Sequence, residues 1–319
     1  MAEHEQSGPP SGGAHPEESA TWERDVLRDL AFSALREQRR ARRWRILYRA
    51  LIAALVVVAL VTLVPSEVPI GPHTALVRLD GAILEETHAS AENINDALRA
   101  AFQNKGARGV LLQANSPGGS PVQAGYIYDE IVRLRERHPD KPLYAVIGDV
   151  CASACYYIAS AADKVYANRA SLVGSIGVLY DGFGYAKLIN KLGIERRLLT
   201  AGENKGMMDP FSPLDREEVA HFQAMLDEIH QQFIEAVKRG RGERLIEGAD
   251  LFSGLIWTGA RGVELGLVDE LASPAAVARE VIGQEDVVDY TPSKGVLERL
   301  AGVLGASFGR ALVPRRGLR

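Results

Sequence analysis

The sequence predicts an α/β protein: repeated β-α units around a mostly parallel sheet, preceded by one N-terminal transmembrane helix. Three observations carry this. Short apolar runs (Thr74 to Leu79, Gly109 to Ala114, Leu143 to Ile147) alternate with longer stretches of helical periodicity. Two of those runs end in small residues and turn formers, Asn115-Ser116-Pro117-Gly118-Gly119-Ser120 and Cys151-Ala152-Ser153-Ala154. An uncharged aliphatic run, Ala50 to Ser66, directly follows a cluster of arginines.

The chain has 319 residues and a mass of 34.6 kDa, room for one large or two modest domains. Its 46% hydrophobic and 24% charged residues are ordinary for a globular protein. A net charge of -4 argues against a dedicated nucleic-acid binder. The sequence holds no zinc-ligand spacing, no P-loop and no dinucleotide fingerprint, so neither a metal nor an organic cofactor is expected.

Residues 1 to about 20, rich in Gly, Pro, Ser, Glu and His, cannot bury enough apolar surface to order themselves. Trp22 to Arg49 reads as helical and turns basic, with Arg36, Arg39, Arg40, Arg42, Arg43, Arg45 and Arg49 against Glu37. Ala50 to Ser66 carries no charge; with Ile46-Leu47-Tyr48 and Val68-Pro69-Ile70 it approaches the ~20 residues that span a bilayer. A cleaved leader fits poorly, because the basic segment is long and Val64-Pro65-Ser66 is a weak cleavage site. The reading is a signal anchor at residues 50–66. Arginines stay cytoplasmic, which puts residues 1–49 inside and the rest across a bacterial inner membrane, in the periplasm or outside.

After a proline-containing spacer the β-α alternation begins. Strand 74–79 is followed by an amphipathic helix from Ala91 to Ala101, with Ile94, Leu98 and Phe102 on one face. Strand 109–114, a helix from Pro121 to Arg137 and strand 143–148 come next, then the helix after Ser153 and a short strand 164–167. Residues 214–240 predict a long charged helix, and a smaller α/β segment closes around Leu267-Val268-Asp269. The main folded domain is expected over residues 72–285. Residues 286–319 form a tail with one amphipathic stretch, Val296 to Leu304, and a basic end.

Ser153 falls where a buried strand meets a helix, at the carboxyl end of the sheet, where open α/β folds put their sites. It reads as a nucleophile or as an ordinary helix cap. Gly118 and Gly119 end another strand and can aim bare N–H groups into a cleft as an oxyanion nest. A serine hydroxyl needs a base. None of the seven histidines (His4, His15, His73, His88, His138, His221, His230) sits in a motif beside a serine. A lysine serves only if it is neutral, and residue chemistry alone does not choose among Lys164, Lys187, Lys191 and Lys205. Cys151 and Cys155 flank the serine; their spacing fits disulfide geometry poorly, so they are expected as small buried packing residues.

These motifs carry a family resemblance. Asn115-Ser116-Pro117-Gly118-Gly119, Ala152-Ser153-Ala154-Cys155-Tyr156-Tyr157, Ala161-Ala162-Asp163-Lys164-Val165 and Val173-Gly174-Ser175-Ile176-Gly177-Val178 resemble the signal peptide peptidase A family. The likeness runs from about residue 74 to 272 and continues in Gly202-Glu203-Asn204-Lys205 and Gly266-Leu267-Val268-Asp269-Glu270. It implies a Clp protease/crotonase-like fold and a serine–lysine peptidase. Ser153 would be the nucleophile and Lys205 the general base, with Ser175 orienting the lysine. The N–H groups of Gly119 and Ala154 would form the oxyanion hole; the family commonly has Gly where this chain has Ala154. The resemblance further implies cleaved signal peptides and other small hydrophobic peptides as substrates. It also implies a homo-oligomeric ring whose active sites are shared between neighbours. A crotonase-like acyl-CoA enzyme and an inactive membrane scaffold are the alternatives on the same fold.

Overall fold

The computed structural model describes residue 40 and residues 42–57, 71–246 and 250–292. The chain divides into two units, Met1–Val68 with Gly295–Arg319, and Pro69–Lys294.

In the first unit, residues 42–57 are helical and carry Arg42, Arg43, Arg45 and Arg49 on the way into the aliphatic run. Among the described residues no helix is long and apolar enough to cross a membrane. The second half of the expected anchor, residues 58–66, and the amphipathic stretch at 296–304 lie outside the described residues.

The second unit is a mixed α/β body on an eight-stranded sheet. Strands β1 (His73–Asp80), β2 (Ala107–Ser116) and β3 (Leu143–Ala152) form its parallel centre. Two helices connect them, α1 (Ala91–Gln103) and α2 (Pro121–Arg137). Each starts on a serine cap: the Ser90 hydroxyl accepts from the Asn93 N–H, and Ser120 from Gln123. Their apolar faces (Ile94, Leu98 and Phe102 on α1; Ile127, Ile131 and Leu134 on α2) are buried against the sheet.

β3 is the branch point. Its first half, Tyr144 to Ile147, pairs with β4 (Lys164–Ala167). Its second half, Val150 to Ala152, pairs with β5 (Leu172–Gly174). The apolar run predicts only the first half; Gly148 and Asp149 break the pattern, yet the strand continues because β5 takes up its second half. β6 (Ile256–Thr258) adds antiparallel to β5, β7 (Glu270–Leu271) parallel to β4, and β8 (Val287–Asp289) parallel to β1. The sheet therefore takes in residues beyond 285.

Three further helices complete what surrounds the site: α3 (Ala154–Ala159), α4 (Ala186–Lys191) and α5 (Arg216–Arg241). α5 is capped by Asp215, whose carboxylate accepts from the N–H groups of Glu217 and Glu218. Only its last third packs into the core, through Phe233, Ala236, Val237 and Arg241. Arg241 is buried and ion-paired to Asp269 at 2.7 Å, which ties the end of α5 to the turn before β7.

Candidate active site

β3 and β5 end side by side. Ala152 pairs with Gly174, so the residues that follow them, Ser153 and Ser175, leave the sheet together. The Ser153 N–H donates to the Gly174 carbonyl at 2.9 Å. The Ser175 N–H donates to the Leu255 carbonyl at 2.8 Å.

Both serines hold left-handed backbone conformations, Ser153 at φ 54° and Ser175 at φ 52°. Among the described residues the only other non-glycine with positive φ is Met208, three positions after Lys205. Such conformations cost about 1–3 kcal/mol each and gather at functional sites. Ser153 occupies the cap position of α3, but its side chain makes no capping hydrogen bond. The cap alternative therefore has no hydrogen bond to rest on, and the hydroxyl faces a cleft.

The Gly118–Gly119 turn packs against this serine. A Cβ on Gly118 (φ +107°) would lie 2.8 Å from the Ala152 carbonyl and 2.9 Å from Ser153 Cβ. A Cβ on Gly119 would lie 2.2 Å from the Ile83 carbonyl. Ile83 clamps the turn from outside, donating to the Gly118 carbonyl at 3.0 Å and accepting from Ser120 at 2.8 Å. The preceding motif residues hold the turn from below. The Ser116 hydroxyl accepts from the Gly118 N–H at 3.1 Å, and the Asn115 side-chain oxygen accepts from the Val150 N–H at 3.2 Å. Ala154 is the first residue of α3, so its N–H has no intrahelical partner.

Cys151 and Cys155 are buried, as expected, but they are bonded to each other. The expectation of unpaired packing residues is corrected. Its physical reason is the left-handed turn at Ser153, which folds the chain back and brings the two Cα atoms to 5.1 Å, inside the usual disulfide range. An ordinary helix start was the wrong template for that spacing.

Ser153 and Ser175 open into a cleft of about 680 Å³. Gly119, Ala154 and Tyr157 form one side; Leu226, Asp227 and His230 of α5 form another. Val178, Leu179 and Phe252 add apolar surface. The α5 wall was not legible in the sequence, because nothing local marks which face of a charged helix meets a serine. His230 in particular reaches the cleft, and its Nε2 donates to the Ile176 carbonyl at 3.1 Å. Burial pushes the Tyr157 phenol up, as do Asp129 and Tyr128 nearby, so it stays protonated.

Of the expected site residues, the chain brings together Ser153, Ser175, Gly119 and Ala154. It does not bring in Lys205. Among the described residues that line the cleft there is no lysine, and Lys205 is exposed in the turn after Gly202. Asp209, near it in sequence, is engaged elsewhere: it accepts from the Ser212 hydroxyl and pairs with Arg196 at 3.0 Å. Among the described residues no group of acidic, histidine or cysteine side chains is arranged to hold a metal.

A strained serine beside a glycine turn at the carboxyl end of a parallel sheet has the parts that acyl transfer needs, a hydroxyl and backbone N–H groups facing one cleft. The comparisons give the class. The family model described as peptidase family S49 matches residues 135–287, a span that includes Ser153, Ser175 and Lys205 but not Gly119. A candidate protease of Synechocystis sp. is 30% identical over 207 residues, which cover 64% of this chain and 74% of that protein. This chain belongs to peptidase family S49. A protein of Brucella melitensis named Na(+)/H(+) antiporter NhaA is 38% identical over 252 residues, 77% of this chain and 33% of that protein. A candidate signal peptide peptidase of Enterococcus faecium is 32% identical over 180 residues, 56% of this chain and 52% of its own. The chain thus spans about a third to a half of the length of the first curated relatives it matches.

Proposed function

We propose that this chain is a membrane-anchored serine endopeptidase that degrades cleaved signal peptides and other small hydrophobic peptides. Ser153 attacks the scissile carbonyl. The N–H groups of Gly119 and Ala154 receive the oxyanion. Lys205 takes the serine proton and returns it to the leaving amine, and Ser175 orients the lysine. The observation that carries the reading is Ser153 itself: left-handed, free of any capping bond, and facing a cleft beside Ser175 and the glycine turn.

Lys205 comes from a neighbouring copy in this reading. Two facts support it. Lys205 is exposed and absent from its own chain's cleft lining. The stretch that leads to it displays large apolar side chains, with Phe183 74%, Leu192 64% and Leu199 96% exposed. Apolar surface on that scale favours contact with another protein. The outcome would be a homo-oligomeric ring with shared sites, the N-terminus cytoplasmic and the catalytic unit across the bacterial inner membrane. The arginine-to-aliphatic junction before residue 57 supports that orientation. The Cys151–Cys155 disulfide supports an oxidising compartment. Val178, Leu179, Leu226 and Phe252 in the cleft favour apolar peptides over charged ones.

A peptide-library digest tests this. The native protein should cut hydrophobic peptides and Ser153→Ala should cut none. Equal cleavage by both would remove Ser153 from the chemistry.

A further inference from the structure

We propose that the Cys151–Cys155 disulfide is a positioning element for the nucleophile, so that the protease is armed only when this bond has formed. The inference rests on the reading of Ser153 as nucleophile.

The bond closes a five-residue loop with Ser153 at its centre. On one side it grips the end of strand β3, on the other the first turn of α3. Both of those elements are anchored independently. Cys151 is in register with Val173 of β5 and Ser116 of β2. Next to Cys155, Tyr156 is buried and its hydroxyl donates to the Leu267 carbonyl at 2.7 Å. Between these anchors, Ser153 has no side-chain hydrogen bond of its own. Its backbone is held by two bonds, its N–H to Gly174 and its carbonyl to the Tyr157 N–H at 3.0 Å. A serine does not choose a left-handed conformation; its surroundings must impose it. The disulfide is the one covalent constraint placed across that residue.

Without the bond, two buried thiols remain, and a free cysteine packs as a small apolar side chain. The core therefore survives, while the Ser153 turn loses its brace and relaxes toward ordinary backbone angles. Gly118 sits so close to Ser153 and Ala154 that relaxation of even a fraction of an ångström changes how the hydroxyl meets the glycine turn. Misplacement by about 1 Å can cost about 100-fold in rate. A chain folded without the bond would stay slow. As the catalytic unit folds across the membrane, while the sulfurs are still accessible, the two thiols lose two protons and two electrons to a disulfide oxidant, which is itself reduced to two thiols. The serine is then locked in place.

The buried sulfurs are out of reach of reductant in the folded protein, so the test sets the redox state during refolding. Full-length protein is refolded with either glutathione disulfide or dithiothreitol, and free thiols are counted by mass tagging after denaturation. Steady-state kinetics on a fluorogenic hydrophobic peptide are compared with the thermal midpoint. The reduced form should lose about 10- to 100-fold in kcat, with KM within about twofold, while still unfolding cooperatively. Refolding the same sample with glutathione disulfide should restore kcat. A Cys151→Ala/Cys155→Ala variant should stay slow under both conditions. A reduced protein with two free thiols and native kcat would overturn the proposal, as would a doubly substituted variant with native kcat. A loss of activity that only tracks unfolding would reduce the bond to a stabilising role and also overturn it. An oxidised protein inert toward every peptide would instead remove the peptidase reading, and this proposal with it.

Discussion

At the scale of single residues, the site depends on contacts too close for any side chain to grow into. Gly118 is the sharpest case. Its φ is +107°, and a methyl group on it would lie 2.8 Å from the Ala152 carbonyl and 2.9 Å from Ser153 Cβ, which leaves no room. On the proposed chemistry, Gly118→Ala should retain the fold and lose at least about 100-fold in kcat on a hydrophobic peptide, because Ser153 and the N–H groups of Gly119 and Ala154 shift together. Native kcat in a folded Gly118→Ala protein would contradict the packing described. Ser153 and the Gly118–Gly119 turn stood out in the sequence because each follows an apolar run; Ser175 and Ala154 came only with the family resemblance, and the α5 residues of the cleft not at all. What was not legible was strain. A left-handed φ at Ser153 leaves no trace in its residue type, and for that reason the Cys151–Cys155 pairing was judged against the wrong local geometry.

At the scale of elements, the main strands and helices were legible because their periodicity is strong. α2 begins and ends where Pro121 and the basic run to Arg137 place it. The three-residue strands β5, β6 and β8 are too short to show a period, and pairing alone defines them. Yet β5 carries Ser175 to the site. The end of α5 is held by another feature invisible in sequence, the buried Arg241–Asp269 pair, with Arg244 at 3.4 Å from the same carboxylate. Burial pushes the Asp269 carboxyl up, but hydrogen bonds from Arg241 and the Val165 N–H and the charges of Arg241 and Arg244 outweigh it. The net effect holds Asp269 below the ordinary carboxylate range. The sign follows: a group with a depressed folded-state pKa stabilises the fold above its unfolded value, about 3.9, and that contribution fades as pH falls through the lower folded value. Asp269→Asn should therefore cost about 3 kcal/mol at pH 7 and much less near pH 2, because the native protein has the ion pair to lose only where Asp269 is ionised. Denaturant unfolding at the two pH values checks this; an equal loss at both would contradict the ion-pair account.

At the scale of the whole molecule, the decisive feature is a cleft with a serine and, among the described residues that line it, no lysine. In the proposed assembly a second copy covers the long exposed stretch between β5 and α5. If sites are shared, Ser153→Ala and Lys205→Ala should each be inactive alone. Unfolded together and reassembled, they should recover part of the native activity, because some interfaces pair an intact serine with an intact lysine. Mixed assemblies that form and remain inactive would put the base within one chain, and His230, already at the cleft, would be the first residue to substitute. At this level the sequence spoke only through the family resemblance: by residue chemistry alone, a turn with Lys205 in it looks the same whether it folds back on its own serine or reaches a neighbour's.

The central claim is that Ser153 is an activated nucleophile, and the most direct measurement is chemical. The full-length oxidised protein is treated with a fluorophosphonate, digested, and the adduct is located by mass spectrometry. The account predicts one stoichiometric adduct on the peptide carrying Ser153, lost in Ser153→Ala and strongly slowed in Lys205→Ala. An adduct on a different residue, or an unlabelled Ser153 in protein that still cleaves peptides, would contradict it.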